Sequence, residues 1–357
     1  MADYSGDPSE FKVYWFARDL VASSYGSFAT KETETLRQLS DQLERELDGR
    51  GLIQETDLEI KKEQIRDTIT GAVNRTYGGD ISKRYRQTED LAERVIRRIE
   101  EEHDIRELRI AIDAVVRTSE ILDTAPSFGK GEIVDIVDET LQDDSGALDP
   151  SKAYDALYNV DFEGEAYQLG AQREPLIDYV YEEMREFRAD PHIEDREIAR
   201  IISGIVQEYE RRAGQSRAST AGNVLETALQ HIFDQFGVPA SGNPAHFGDL
   251  EIDNMVDGSD GSIGFSCKRT LRERFRQSLS REAEIGVDEV WFVSLLMADV
   301  SKEKLQDISN DGSRIYVPRD SFVWNRYSTD DNLSYTLRPA DHFIRDVVEF
   351  TGVSSDL

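Results

Sequence analysis

The chain has 357 residues, enough for two domains or for one large domain with an extension, and long enough to bury a substantial core. With 72 acidic groups against 42 basic ones its formal charge is -30, which excludes diffuse attraction to a polyanion as a binding mode. The single cysteine, Cys267, excludes an intrachain disulfide and points to a reducing cytoplasm, while the absence of a signal-peptide pattern or of any apolar run near ~18 residues argues against secretion and membrane spanning.

From about residue 30 to 213 the periodicity predicts helix after helix with charged outer faces. Thr56-Asp57-Leu58-Glu59 has capping-box spacing, and Asp149-Pro150 supplies an N-cap and a first-turn proline before "SKAYDALYNV". The small-residue stretch "AGQSRASTAGN" reads as a boundary, so the expected division is a helical N-terminal domain over 1–205 and a second domain over 206–357. Beyond it "AGNVLETALQHIFDQFG" reads as a helix stopped by Gly237. "DLEIDNM" and "SIGFSCKR" alternate as a strand pair about "VDGSDGS". A helix from Thr270 to about Ala283, a buried strand "DEVWFVSLLM", a helix "SKEKLQDIS" and a strand "SRIYVP" follow. This order predicts an α/β layer arrangement, a central mixed β-sheet flanked by helices and preceded by an all-α domain.

Two counts single out the second half. Lysine is scarce, ten against 32 arginines, and Lys268 is the sole lysine between Lys152 and Lys302. Residues 211–281 carry nine basic and eight acidic groups, so the acidic excess that marks the rest of the chain is suspended there. The acid surplus and the preference for Arg fit a protein of a halophile, where molar salt shortens the Debye length to roughly 3 Å and a polyanion must be held by short, directional contacts.

Asp249 opens one predicted strand and Lys268 ends the next, so a hairpin can bring a carboxylate to an ammonium, with Asp253 as the rival carboxylate. Such a pair suits phosphodiester hydrolysis, where oxygen ligands hold a hard cation and a compact ammonium acts on the attacking water. "SRASTAGNVLE" and "SCKRTLRERFRQ" resemble the EcoRII-like catalytic domain of type II restriction endonucleases, within the PD-(D/E)XK nuclease superfamily, over roughly residues 205–330.

The resemblance implies a restriction-endonuclease-like core and a Mg2+-dependent, site-specific cleavage of double-stranded DNA that leaves 5'-phosphates. It implies Asp249 and Glu282 as metal ligands, with Glu284 an alternative and Glu226 an additional acid, and the Cys267 backbone carbonyl as a further ligand. Ser266 stands where the superfamily usually has an acid. Lys268 positions water. Arg272, Glu273 and Arg274 would read base pairs, Arg chelating guanine and Glu accepting from cytosine, with Arg217, Arg269 and Arg276 also facing DNA. Arg269, Arg272 and Arg276 are expected on one face of the helix after Lys268, opposite Leu271, Phe275 and Leu279. Two-strand cleavage favours a homodimer. The other readings are a repair or defence nuclease without strict site specificity, a catalytically inactive DNA-binding module, and a helical interaction protein whose first half carries the function. "SKRYRQ" with Arg94, Arg97 and Arg98 is a hint of nucleic-acid binding in that half.

Overall fold

The computed structural model describes residues 10–20, 37, 41, 45, 57–76, 81–126, 128–191, 193–242, 252–258, 261–271, 275, 279 and 286–353; of 72–76, 81–89, 215–221 and 242 it describes the backbone alone. Seven helices come first among the described residues: α1 (Lys12–Leu20), α2 (Leu58–Thr76), α3 (Ile81–Arg98), α4 (Glu102–Thr124), α5 (Lys130–Leu141), α6 (Ala153–Ala189) and α7 (Asp195–Gln235). Then come β1 (Ala240–Gly242), β2 (Asn254–Gly258), β3 (Gly261–Thr270), β4 (Glu289–Leu296), α8 (Lys302–Asp311), β5 (Arg314–Val317), α9 (Phe322–Tyr327), β6 (Leu337–Pro339) and α10 (Phe343–Thr351). Among the described residues no helix is long and apolar enough to cross a membrane.

The expected caps are partly visible. Asp149 accepts from the Ser151 amide ahead of α6, with Pro150 in the first turn. Thr56 lies outside the described residues, and the α2 cap that is seen is Asp57, whose Oδ1 accepts from the Glu59 amide at 2.9 Å. The stretch "AGQSRASTAGN", expected as a boundary, is helical and interior to α7, and one division between the two compact units, Ser216/Arg217, falls within it. It holds no proline, and its alanines favour helix as much as its glycines oppose it.

Two compact units result, and they interleave along the chain. One comprises residues 1–126 and 169–216, the other 127–168 and 217–357. The single expected cut at 205/206 divides the chain differently, because α5 and the first half of α6 carry their apolar residues (Ile133, Val137, Leu141, Leu157, Val160) into the same core as the sheet. Amphipathic helices show which face is apolar but not which partner covers it.

The first unit is all-helical. Its core gathers Phe16, Leu20, Ile69, Val95, Leu108, Ile112, Ile201, Ile205 and Tyr209. Gly204 permits the close approach of α1, since a Cβ there would stand 3.0 Å from the Tyr14 amide nitrogen.

The second unit is built on a six-stranded mixed sheet in the order β1-β2-β3-β4-β5-β6. β1, β2 and β3 pair antiparallel, and β3 to β6 run parallel. The expected hairpin is present, with Asn254 opposite Phe265 and Gly258 opposite Gly261, but β2 begins at Asn254, later than expected from "DLEIDNM". β6 and α10 extend the sheet unit beyond the predicted elements.

Both faces of the sheet are covered, which explains the unbroken apolar run of β4. Trp291, Val293, Phe265, Cys267 and Tyr316 join one core with Phe233 of α7 and Phe343 of α10. Val290, Phe292, Ile315 and Val317 join the other with Leu271, Phe275 and Leu279. The last three are buried as their four-residue spacing predicts, and Phe275 and Leu279 are helical.

Candidate active site

β2 and β3 bring Asp253 and Lys268 together. Lys268 Nζ donates to Asp253 Oδ1 at 3.0 Å, and the Cys267 amide donates to Oδ2 at 2.6 Å. The Asp253 amide in turn donates to the Phe265 carbonyl at 2.7 Å. Where the regular β2–β3 ladder ends, the carboxylate therefore takes the place of a backbone carbonyl for a β3 donor, and both its oxygens are fixed. Gly264 makes room for this arrangement, since a Cβ there would lie 2.7 Å from Cδ1 of Ile252, the residue before Asp253.

Burial dominates the electrostatics. Asp253 is 9% exposed, and desolvation pushes its carboxyl up to about 6 despite the Lys268 ammonium and the Cys267 amide, with the Glu226 carboxylate adding to the rise. Glu226 lies half-buried on α7. Cys267 is fully packed, its thiol pushed up by burial and by Asp253, so it is an apolar filler and not a nucleophile. Ser266 and Lys268 share one face of β3, Cys267 and Arg269 the other. Ser266 is 3% exposed.

Arg269 stands on β3, not on the helix that follows. Its guanidinium is held by two acids of α6, Asp161 with Nε to Oδ2 at 2.9 Å, and Glu165. Burial raises the Asp161 carboxyl, and the arginine opposes that rise. Nothing in the isolated sequence pointed to Asp161, because the pairing joins segments far apart in the chain.

Asn254, beside Asp253, has both side-chain polar atoms buried and without a partner among the described residues. Asp253 and Glu226 interact electrostatically and one of them is desolvated, so with Lys268 offsetting a single charge they make a hard-oxygen pair that suits a divalent cation. Asp253 and Glu226 fit such an ion by donor type. Among the described residues no cluster of three or more ligating side chains forms. Asp249, Glu282, Glu284, Arg272, Glu273, Arg274 and Arg276 lie outside the described residues, and so does the Arg217 side chain.

No protein-family model matches the sequence, and no curated protein does. Solved structures do. Metal-depleted Ecl18kI in complex with uncleaved DNA aligns with a TM-score of 0.51 and 17% identity, covering 67% of this chain and 84% of that one. Metal-depleted Ecl18kI in complex with uncleaved, modified DNA aligns with a TM-score of 0.51 and 16% identity, covering 70% of this chain and 87% of that one. Ecl18kI is a type II restriction endonuclease. At this identity the likeness is one of fold, and it agrees with the mixed sheet flanked by helices described above.

Proposed function

We propose that the protein is a divalent-metal-dependent endonuclease acting on double-stranded DNA, of the type II restriction kind with an EcoRII-like catalytic domain. The observation that carries this reading is the Asp253–Lys268 pair, a buried carboxylate and the sequence's isolated lysine joined across the β2–β3 hairpin. Perturbed, paired ionisable groups of this kind gather at catalytic sites. The likeness in fold to Ecl18kI supports the nuclease class.

Asp253 would serve as the central metal ligand, with the Cys267 carbonyl and a glutamate (Glu226, Glu282 or Glu284) completing the set. Asp249 remains an alternative to Asp253. A bound Mg2+ would neutralise the scissile phosphate and its developing charge. Lys268, held against Asp253, would orient the attacking water and stabilise the charge it acquires. Ser266 takes the position of the usual second acid, which leaves that role to a helix glutamate. Recognition would rest on Arg272, Glu273 and Arg274, with Arg217 and Arg276 on the backbone, and cutting of both strands would use a homodimer. The acidic surface suits the salt-rich cytoplasm of a halophile.

Incubating the purified protein with phage and plasmid DNA in molar KCl, with Mg2+ or EDTA, and sequencing the ends tests the reading. Discrete Mg2+-dependent fragments with 5'-phosphates are expected. Smeared products would move the assignment to an unspecific repair or defence nuclease. Binding without any cutting would make the chain a DNA-binding module whose Ser266 marks lost catalysis.

A further inference from the structure

The helical unit holds a cavity of about 340 Å³ lined by Lys12, Arg94, Arg97, Arg98 and Glu100, at the small end of ligand-site volumes. Four cations meet at one opening in a chain with a formal charge of -30. The C-terminal dipole of α3 favours basic residues in its last turn, which accounts for Arg97 and Arg98 singly. Lys12 enters from α1 and meets the same helix end, donating to the terminal Arg98 carbonyl.

The cavity is braced. Lys12 Nζ donates to the Arg98 carbonyl at 2.7 Å and to Glu100 Oε2 at 3.1 Å, and stands 3.5 Å from Asp104. Arg98 is held by Asp19, and its guanidinium lies 5.1 Å from the centre of the Trp15 ring. These contacts fix the floor of the cavity. Arg97 is different: it is exposed and has no ion-pair or hydrogen-bond partner among the described residues, although the chain has 72 acidic groups to 42 basic ones. Lys12 and Arg98 are offset by Glu100, Asp104 and Asp19, which leaves the unspent Arg97 guanidinium, beside Arg94, to receive an anion with several oxygens, which arginine forks bind directionally.

We infer that this cavity binds phosphate groups, either those of a DNA backbone or those of a free polyphosphate ligand. The site is separate from the Asp253–Lys268 pair, and its test does not depend on cleavage.

The full chain, in molar KCl with EDTA, is titrated with inorganic tripolyphosphate by calorimetry and with a short fluorescent DNA duplex by anisotropy. Wild type, Arg97→Glu, Arg94→Glu/Arg97→Glu and Lys268→Ala are compared, with circular dichroism as the check on folding and Arg97→Gln as the milder variant. Charge reversal is expected to weaken at least one probe about tenfold or more, while Lys268→Ala leaves tripolyphosphate binding unchanged. Loss for tripolyphosphate alone identifies a free phosphate ligand, and loss for the duplex alone identifies the DNA backbone. Failure of the wild type to bind either probe, or equal binding by folded wild type and reversal variants, overturns the inference.

Discussion

Lys268 Nζ lies 3.0 Å from Asp253 Oδ1, joining the residue just before β2 to the far part of β3 across the hairpin. The pair gives a physical reason for a lysine in a chain that prefers arginine. In the proposed function a compact ammonium would serve both the buried carboxylate and an attacking water, where a planar fork would not fit both tasks.

The first prediction follows from that geometry. A group that acts on the attacking water contributes mainly in the transition state. Lys268→Ala should bind DNA in Ca2+ nearly as wild type does, and cut at least ~100-fold more slowly in Mg2+, a barrier increase of about 2.7 kcal/mol. Lys268→Arg should also be severely slowed. Gel-shift affinity with single-turnover cleavage in molar KCl decides it, and a fast-cutting arginine variant removes the catalytic role.

In the proposed function Asp253 and Asp249 are the alternative metal ligands, and the contact between Asp253 and Lys268 favours Asp253. Asp253→Asn should abolish Mg2+-dependent cutting while the fold persists, with Asp249→Asn the milder of the two. The reverse order would move the ligand to Asp249. Glu226→Gln, Glu282→Gln and Glu284→Gln, assayed side by side, should show one loss much larger than the others.

Protonation gives a third test. Burial holds the Asp253 carboxyl at about 6, above its unfolded value, so the metal-free folded state binds this proton more tightly. The stability this proton confers is present at low pH and is lost as pH rises through about 6. In metal-free protein at pH ~8, Asp253→Asn should therefore raise the unfolding free energy by about 1–3 kcal/mol, with little effect near pH ~4. Denaturant melts at both pH values measure it, and an Asn variant destabilised at the higher pH contradicts the assignment. Cleavage by wild type should fall below pH ~6, less so as Mg2+ is raised, because the ion competes with the proton.

Asp161 and Arg269 provide the fourth. The acid is 8% exposed, so removing the arginine strands a buried charge. Arg269→Ala should cost on the order of 1–3 kcal/mol, discounted because the guanidinium is about a third exposed. Arg269→Ala/Asp161→Ala should recover part of that loss. Additive losses in urea melts would show that the two residues are not coupled.

Much of the fold is legible in the sequence, because local periodicity is a property of the chain itself. The hairpin over Asn254–Thr270, the doubly covered strand at Trp291 and the buried row Leu271, Phe275, Leu279 all follow from spacing. Lys268 stands out by residue counts alone. Tertiary structure decided the rest. Spacing left Asp249 and Asp253 open, and the β2–β3 register brought Asp253 to Lys268, since shifting a strand by one residue turns every side chain to the other face. Arg269 reads as one of a row of DNA-facing arginines until the fold sets it against Asp161 and Glu165. Residues 127–168 join the sheet core for the same reason: an apolar helix face specifies that it will be covered, and only the folded chain specifies by what.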